Sequence, residues 1–177
     1  CSLSAGEPDF NTPDFIVEAA RNALNKGYTR YGPAAGDPEL RAAIAAKLSS
    51  ENGIATEPSE VLITNGGKQA IYNLFQVLLN PGDQVLIPAP YWLSYPEIAA
   101  LAGADVVTIP SAASDGFQLD LDRLEAEITS KSRLLVLNTP GNPTGRVMSK
   151  DELLALAVLL RRHPQLLVIS DEIYEYL

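Results

Sequence analysis

Apolar positions along the chain follow two rhythms. In the N-terminal part, Ile16, Val17, Ala20 and Leu24 recur at helical spacing and Gly27 closes the run; Leu40, Ile44 and Leu48 repeat the pattern before Gly53. Each run carries a start signal. Thr12-Pro13 offers an N-cap followed by proline at the first helical position, and Asp37-Pro38 does the same. Between them, Gly27-Tyr28-Thr29-Arg30-Tyr31-Gly32-Pro33 reads as a turn-rich loop bearing two exposed-type aromatics. From residue 61 onward the rhythm changes. Short Leu/Val/Ile runs predict strands at 61–64, 84–87, 105–109, 134–138 and 166–170, with helical patterns at 68–79, 96–101, 121–128 and 150–162. Ser149 and Glu152 have the spacing of a capping box at the start of the last helix. Continuous apolar strands alternating with helices predict an α/β fold: a mostly parallel sheet with helices on both faces. No internal repeat, low-complexity tract or long linker interrupts the pattern.

Composition narrows the picture. A chain of 177 residues can bury roughly 70% of its unfolded surface around one main core. It is 46% hydrophobic and 20% charged, and no apolar run reaches the roughly 18 residues of a membrane span, so a soluble globular protein without a membrane partner is expected. A formal net charge of -9 and a pI near 4.5 provide no basic face for a polyanion. Nucleic acid is therefore not an expected partner, and any phosphate must be held locally. One cysteine excludes an internal disulfide and one histidine argues against a histidine-rich metal site; a reducing cytoplasm and no metal are expected. No signal peptide opens the chain and no initiator methionine is present. Cys1-Ser-Leu-Ser reads as the tail of a short strand running into Ala5-Gly6-Glu7-Pro8, as in a chain entered partway through a gene product.

Chemistry-bearing residues cluster at strand ends. Asn138-Thr-Pro-Gly-Asn142-Pro143-Thr-Gly145 closes one strand, and Ser170-Asp171-Glu172-Ile173-Tyr174 closes the strand that follows it. An open α/β sheet places its ligand outside such carboxyl ends. Thr64-Asn65-Gly66-Gly67-Lys68-Gln69 joins a strand to a helix through two glycines, leaving backbone N–H groups free at a helix N-terminus. The same pattern also suits an ordinary tight βα turn. A P-loop is excluded, because Leu62 stands where glycine is required and Gln69 follows Lys68; no Gly-x-Gly-x-x-Gly occurs. Arg161-Arg162-His163 and the Asp120, Asp122, Glu125, Glu127 cluster read as structural, the former suiting a helix C-terminal dipole and the latter a solvated helix face.

Six segments in order carry a resemblance: Ser4-Ala-Gly6-Glu-Pro-Asp-Phe10, Tyr28-Thr-Arg-Tyr31-Gly-Pro-Ala-Ala-Gly36, Asn65-Gly-Gly-Lys-Gln69, Pro90-Tyr-Trp92-Leu-Ser-Tyr95-Pro, Asn142-Pro-Thr-Gly145 and Asp171-Glu-Ile-Tyr174. Over essentially its whole length the chain resembles the class I (fold type I) pyridoxal-phosphate aminotransferases, close to the aspartate aminotransferase branch. The resemblance implies an N-terminal arm, helix and dimer-facing loop over residues 1–36 and a partial cofactor-binding α/β domain over 37–177. It implies pyridoxal 5'-phosphate as cofactor, an amino acid and a 2-oxo acid as substrates, and a homodimer. By the same resemblance Asp171 pairs with the pyridine nitrogen and makes the ring an electron sink. Asn142 and Tyr174 hydrogen-bond its phenolate oxygen, and Trp92 stacks on its face. The backbone of Gly67 and Lys68 receives the phosphate, and Tyr31 reaches the phosphate of the neighbouring subunit. The Gly6 N–H and Asn142 meet the substrate carboxylate beside Trp92. Pro90 and Pro143 match positions that the family often holds cis.

The family's Schiff-base lysine lies well downstream of its Asp-Glu-Ile-Tyr strand, and a substrate-clamping arginine lies near its C-terminus. Lys26, Lys47, Lys68, Lys131 and Lys150 are the lysines of this chain, and none has that strand-end context. The expectation is a transaminase parent whose catalytic lysine lies beyond Leu177, and an inactive 177-residue chain. Two other readings stay open: a fold type I enzyme of different chemistry, such as a C–S lyase or decarboxylase, and a non-catalytic fragment or interaction module. The preferred amino acid is not legible, so aspartate, prephenate and other aromatic 2-oxo acids all remain candidates.

Overall fold

The computed structural model describes Gly6 and residues 9–177. The strand tail expected at Cys1-Ser-Leu-Ser lies outside the described residues, as do Ala5, Glu7 and Pro8 of the first motif. The chain forms two compact units, Cys1–Ile63 and Thr64–Leu177.

The first unit holds two helices, α1 (Asp14–Asn25) and α2 (Pro38–Glu51). Proline at position 13 is itself the N-cap of α1, one residue earlier in the helix frame than the pattern suggested, and no side chain caps that end. Gly27 closes α1 at φ 78°, with the Tyr28 N–H donating to the Ala23 carbonyl at 3.1 Å. Asp37 caps α2, its carboxylate accepting from the N–H groups of Glu39 (2.9 Å) and Leu40 (3.1 Å). The strand expected at 61–64 does not form. Its backbone groups are engaged locally: the Val61 carbonyl accepts from Arg41 Nε at 2.8 Å, and the Ile63 N–H donates to the Ala35 carbonyl at 3.0 Å. A β pattern without a ladder partner satisfies its polar groups elsewhere. Gly36, at φ 102°, lies so close to Ile63 that a Cβ there would collide with that side chain.

The second unit runs α3 (Gly67–Leu78), β1 (Gln84–Pro88), α4 (Ser94–Leu101), β2 (Asp105–Ile109), α5 (Leu121–Glu127), β3 (Ser132–Asn138), α6 (Lys150–Leu160) and β4 (Leu167–Asp171). The four strands are parallel in the order β2-β1-β3-β4. Chain order therefore reverses between β1 and β3, the switch point at which open sheets bind ligands. Alternation along the strands splits the core. Val85, Ile87, Leu134, Val136 and Ile169 face one way and pack with Ile71, Phe75, Tyr95 and Ile98 of α3 and α4. Leu86, Leu135 and Leu137 face the other way, against Leu124 of α5 and Leu156 and Leu159 of α6. Helices thus cover both faces, as the continuous apolar strands imply.

Ends differ by one or two residues from the pattern. α6 stops at Leu160, and Arg162 then turns back to grip Glu125 of α5 in a two-pronged pair at 2.9 and 2.7 Å, with His163 at 3.3 Å from the same carboxylate. These basic residues answer an acidic side chain rather than only a helix terminus. Asp120 is the N-cap of α5, accepting from the Arg123 N–H at 2.9 Å. The capping box of α6 forms as spaced, Ser149 and Glu152 each accepting from the other's N–H. β4 runs one residue further than expected, which brings Asp171 into the ladder opposite Asn138.

Candidate active site

The site assembles where β3 and β4 end. Asn138 is its knot: its Nδ2 donates to the Asp171 carbonyl at 2.9 Å and to the Pro140 carbonyl at 3.2 Å, while its Oδ1 accepts the Asn142 N–H at 2.8 Å. One side chain thus fastens the end of β4 and the loop bearing Asn142. That loop closes on itself through the Gly141 N–H to the Arg146 carbonyl (2.9 Å) and the Gly145 N–H to the Gly141 carbonyl (2.7 Å). Arg146 anchors it outward, donating from Nε to the Gly116 carbonyl at 2.8 Å and pairing with Glu152 of α6. The Ala89–Pro90, Thr139–Pro140 and Asn142–Pro143 peptides are cis, the second beyond the two that the resemblance implied.

Around this frame the functional side chains converge. Asn142 Nδ2 donates to the Tyr174 hydroxyl at 3.3 Å, so an amide and a phenol stand side by side. Asp171 Oδ1 accepts the Ile173 N–H at 3.2 Å, and Oδ2 accepts the Tyr95 hydroxyl at 2.6 Å. Tyr95 is 1% exposed. Burial, and then its bond to the Asp171 carboxylate, push its phenol far above the usual tyrosine range. Its ring meets Trp92 nearly edge-on, with centroids 5.3 Å apart and planes at 82°. Lys68 Nζ stands over the Trp92 ring, 5.0 Å from its centroid.

Opposite these groups α3 begins. Gly66 occupies its N-cap at φ 83°, no side chain caps the helix, and an added Cβ at Gly66 or Gly67 would meet only open space. Asn65 is held by Gln69, whose Oε1 accepts its N–H at 2.6 Å. The first-turn N–H groups, with the positive end of the helix dipole, therefore open towards a cavity of about 290 Å³. Such a volume is on the scale of small-molecule sites.

Six residues singled out in the sequence, Gly67, Lys68, Trp92, Asn142, Asp171 and Tyr174, line this one cavity. Gly6 and Tyr31 belong to the first unit and are exposed there. Two further lining residues, Tyr95 and Asn138, had no assigned role in the sequence reading. Tyr95 stands in the quoted segment Pro90-Tyr-Trp92-Leu-Ser-Tyr95-Pro, three residues after Trp92, and Asn138 opens the segment that carries Asn142. Among the described residues no group of His, Cys, Asp and Glu could hold a metal ion.

The family model for aminotransferase class I and II matches residues 1–177. The chain belongs to the class I and II aminotransferases. This is a pyridoxal-phosphate-dependent family. Among its members, the aspartate/prephenate aminotransferase of Thermus thermophilus is 51% identical over 176 residues, 99% of this chain and 46% of that protein. A bifunctional aspartate aminotransferase and glutamate/aspartate-prephenate aminotransferase of Petunia hybrida is 54% identical over 175 residues, 99% of this chain and 36% of its own length. The structure of the Thermus thermophilus aspartate aminotransferase with maleate superposes at a TM-score of 0.92 and 49% identity, covering 96% of this chain and 44% of that one. The aromatic aminotransferase of Pyrococcus horikoshii superposes at 0.91 with 44% identity, over 96% of this chain and 45% of its own. The chain thus spans less than half the length of these aminotransferases, and its α/β architecture is that of their fold type I domain.

Proposed function

We propose that the cavity at the ends of β3 and β4 holds pyridoxal phosphate, within an aminotransferase exchanging an amino acid and a 2-oxo acid of the aspartate or prephenate type. The observation that carries this reading is a carboxylate, Asp171, held by two hydrogen bonds on the same cavity as the uncapped N-terminus of α3. The donor set fits the group. A helix N-terminus suits a dianionic phosphate. A carboxylate suits a protonated ring nitrogen, an amide beside a phenol suits a phenolate oxygen, and an indole offers a flat apolar face. When bound, the cofactor supplies the electron sink that lets a bond at the amino acid's Cα break. Asp171 would hold the ring nitrogen's proton, Asn142 and Tyr174 the phenolate oxygen, and the backbone of Gly67 and Lys68 the phosphate, with Trp92 covering the ring. The Gly6 N–H and Asn142 would orient the substrate carboxylate.

We infer further that this chain alone binds without turning over. Among its lysines only Lys68 lines the cavity, and its ammonium sits over Trp92. Lys131 precedes β3, at the opposite end of the strand from the site, and Lys150 opens α6. Amino-group transfer by the purified chain would overturn this. A homodimer in the cytoplasm completes the reading. The fully exposed Tyr31 supports the dimer as a group available to a second protomer, and the single cysteine supports the compartment.

Trp92 is the chain's single tryptophan, so its fluorescence reports on the site directly. Titration with pyridoxal phosphate is expected to quench it saturably, with Asp171→Ala weakening binding roughly 10- to 100-fold, the equivalent of one charge-assisted hydrogen bond. Equal binding by the wild-type and substituted chains would overturn the assignment.

A further inference from the structure

The strongest unexplained feature of the cavity is Tyr95. A buried phenol must find a hydrogen-bond partner, and this one finds the carboxylate on which the cofactor reading turns. An ionised carboxylate is acceptor-only, so the hydroxyl donates and Asp171 Oδ2 receives. Without that bond Asp171 would be fixed by a single 3.2 Å contact from the Ile173 N–H to Oδ1, and its carboxylate could rotate about its terminal torsion. With both in place the plane of the carboxylate is set. Two of its roughly four lone-pair directions are then used, leaving the others for a donor in the cavity.

Tyr95 also reaches the other wall of the site. Its ring meets Trp92 at 82°, and its body lies within the core formed by Phe75, Ile98 and Ile169. A single side chain thus ties two walls of the cavity to the packed interior: the carboxylate through its hydroxyl, the indole through its ring.

We propose that Tyr95 is a positioning residue of this site, orienting the Asp171 carboxylate through its hydroxyl and the Trp92 plane through its ring. The proposal rests on the cofactor reading above. It assigns separable duties to two parts of one side chain, and Tyr95→Phe separates them: the ring and its packing stay, and only the hydroxyl goes. Asp171→Asn is the complementary change, keeping the shape and replacing the charged acceptor with a neutral amide.

Two measurements test it. In the chain without ligand, proton NMR is expected to show an exchange-protected hydroxyl signal that is absent in Tyr95→Phe and moves upfield in Asp171→Asn, where the acceptor has lost its charge. A wild-type chain lacking this signal would overturn the clamp. In the titration with pyridoxal phosphate, Tyr95→Phe is expected to weaken binding about tenfold when Asp171 is present and less than about twofold in the Asp171→Asn background. The Trp92 emission maximum of the ligand-free chain stays unchanged, because the ring contact survives. An equal loss in both backgrounds would leave Tyr95 a packing residue only and overturn the positioning role. No saturable binding by the wild-type chain would overturn the cofactor reading and the role together, whereas wild-type binding with an uncoupled Tyr95→Phe would overturn the role alone.

Discussion

Asn138 does more for the site than any residue the motifs point to for a ligand. It satisfies the Asp171 and Pro140 carbonyls and the Asn142 N–H at once, so Asn138→Ala strands three partly buried backbone groups. We expect that substitution to destabilise the second unit by about 1–3 kcal/mol in denaturant unfolding, and to weaken pyridoxal-phosphate binding although Asn138 is given no contact with the cofactor. A loss of stability within error of zero would show that water replaces all three bonds. That Asp171, Asn142, Tyr174, Trp92 and the Gly67-Lys68 turn belong together was legible through the family resemblance, since each sits in one of its short motifs. The duties of Tyr95 and Asn138 were not, although both stand in quoted segments, because their meaning lies in partners 76 and 33 positions away. No local pattern encodes which residue of β4 will lie opposite which residue of β3.

At the level of elements, starts were easier to read than partners. The caps at Asp37 and Ser149 are satisfied within three residues, so their sequences determine them. The expected strand at 61–64 failed for the opposite reason: a strand is defined by its neighbour, and these residues bond to Arg41 and Ala35 instead. Two predictions belong here. The N-cap of α3 needs glycine for its backbone alone, since φ 83° strains any residue with a Cβ while the space around it is open. Gly66→Ala should therefore cost on the order of 1–3 kcal/mol, measured as a fall in the denaturation midpoint; a neutral result would mean that the turn relaxes. At the start of α6, Glu152 is held below its ordinary value of 4.5, chiefly by accepting the Ser149 N–H and further by Arg146. A depressed carboxylate stabilises the fold above its unfolded value and loses that contribution as pH falls through the folded one. Glu152→Gln should accordingly lower stability near neutral pH, and the gap from wild type should close as pH falls below 4.5 and through the lower folded value. A constant gap at all pH values would assign the effect to shape rather than charge.

For the molecule as a whole, the layered architecture was legible and the order of the strands was not. Apolar runs too continuous for a sheet with one wet face required helices on both sides, and the two cores show that arrangement. Strand order depends on which way each crossover turns, which no run of residues records. β4 forms one edge of the described sheet, with Leu167 and Val168 about 40% exposed, and α6 leaves Leu154 and Val158 more than half exposed. Such faces invite association. The purified chain should therefore bind a hydrophobic dye and sediment with a concentration-dependent mass; a sharp monodisperse monomer with no dye signal would refute this. Phe75, wholly buried in the core that also holds Tyr95, carries the complementary expectation: Phe75→Ala should cost about 3–5 kcal/mol and take ligand binding with it.

Because successive side chains of a strand alternate, Asp171 projects on the same face of β4 as Ile169, and Ile169 is packed into the core beside Tyr95. The single alignment of β4 against β3 that buries the isoleucine is also the one that delivers the carboxylate. A slip by one residue would forfeit both together, so no shift of register can keep the fold's interior while moving its acid. Natural selection acting on either property would guard the other without ever having to see it.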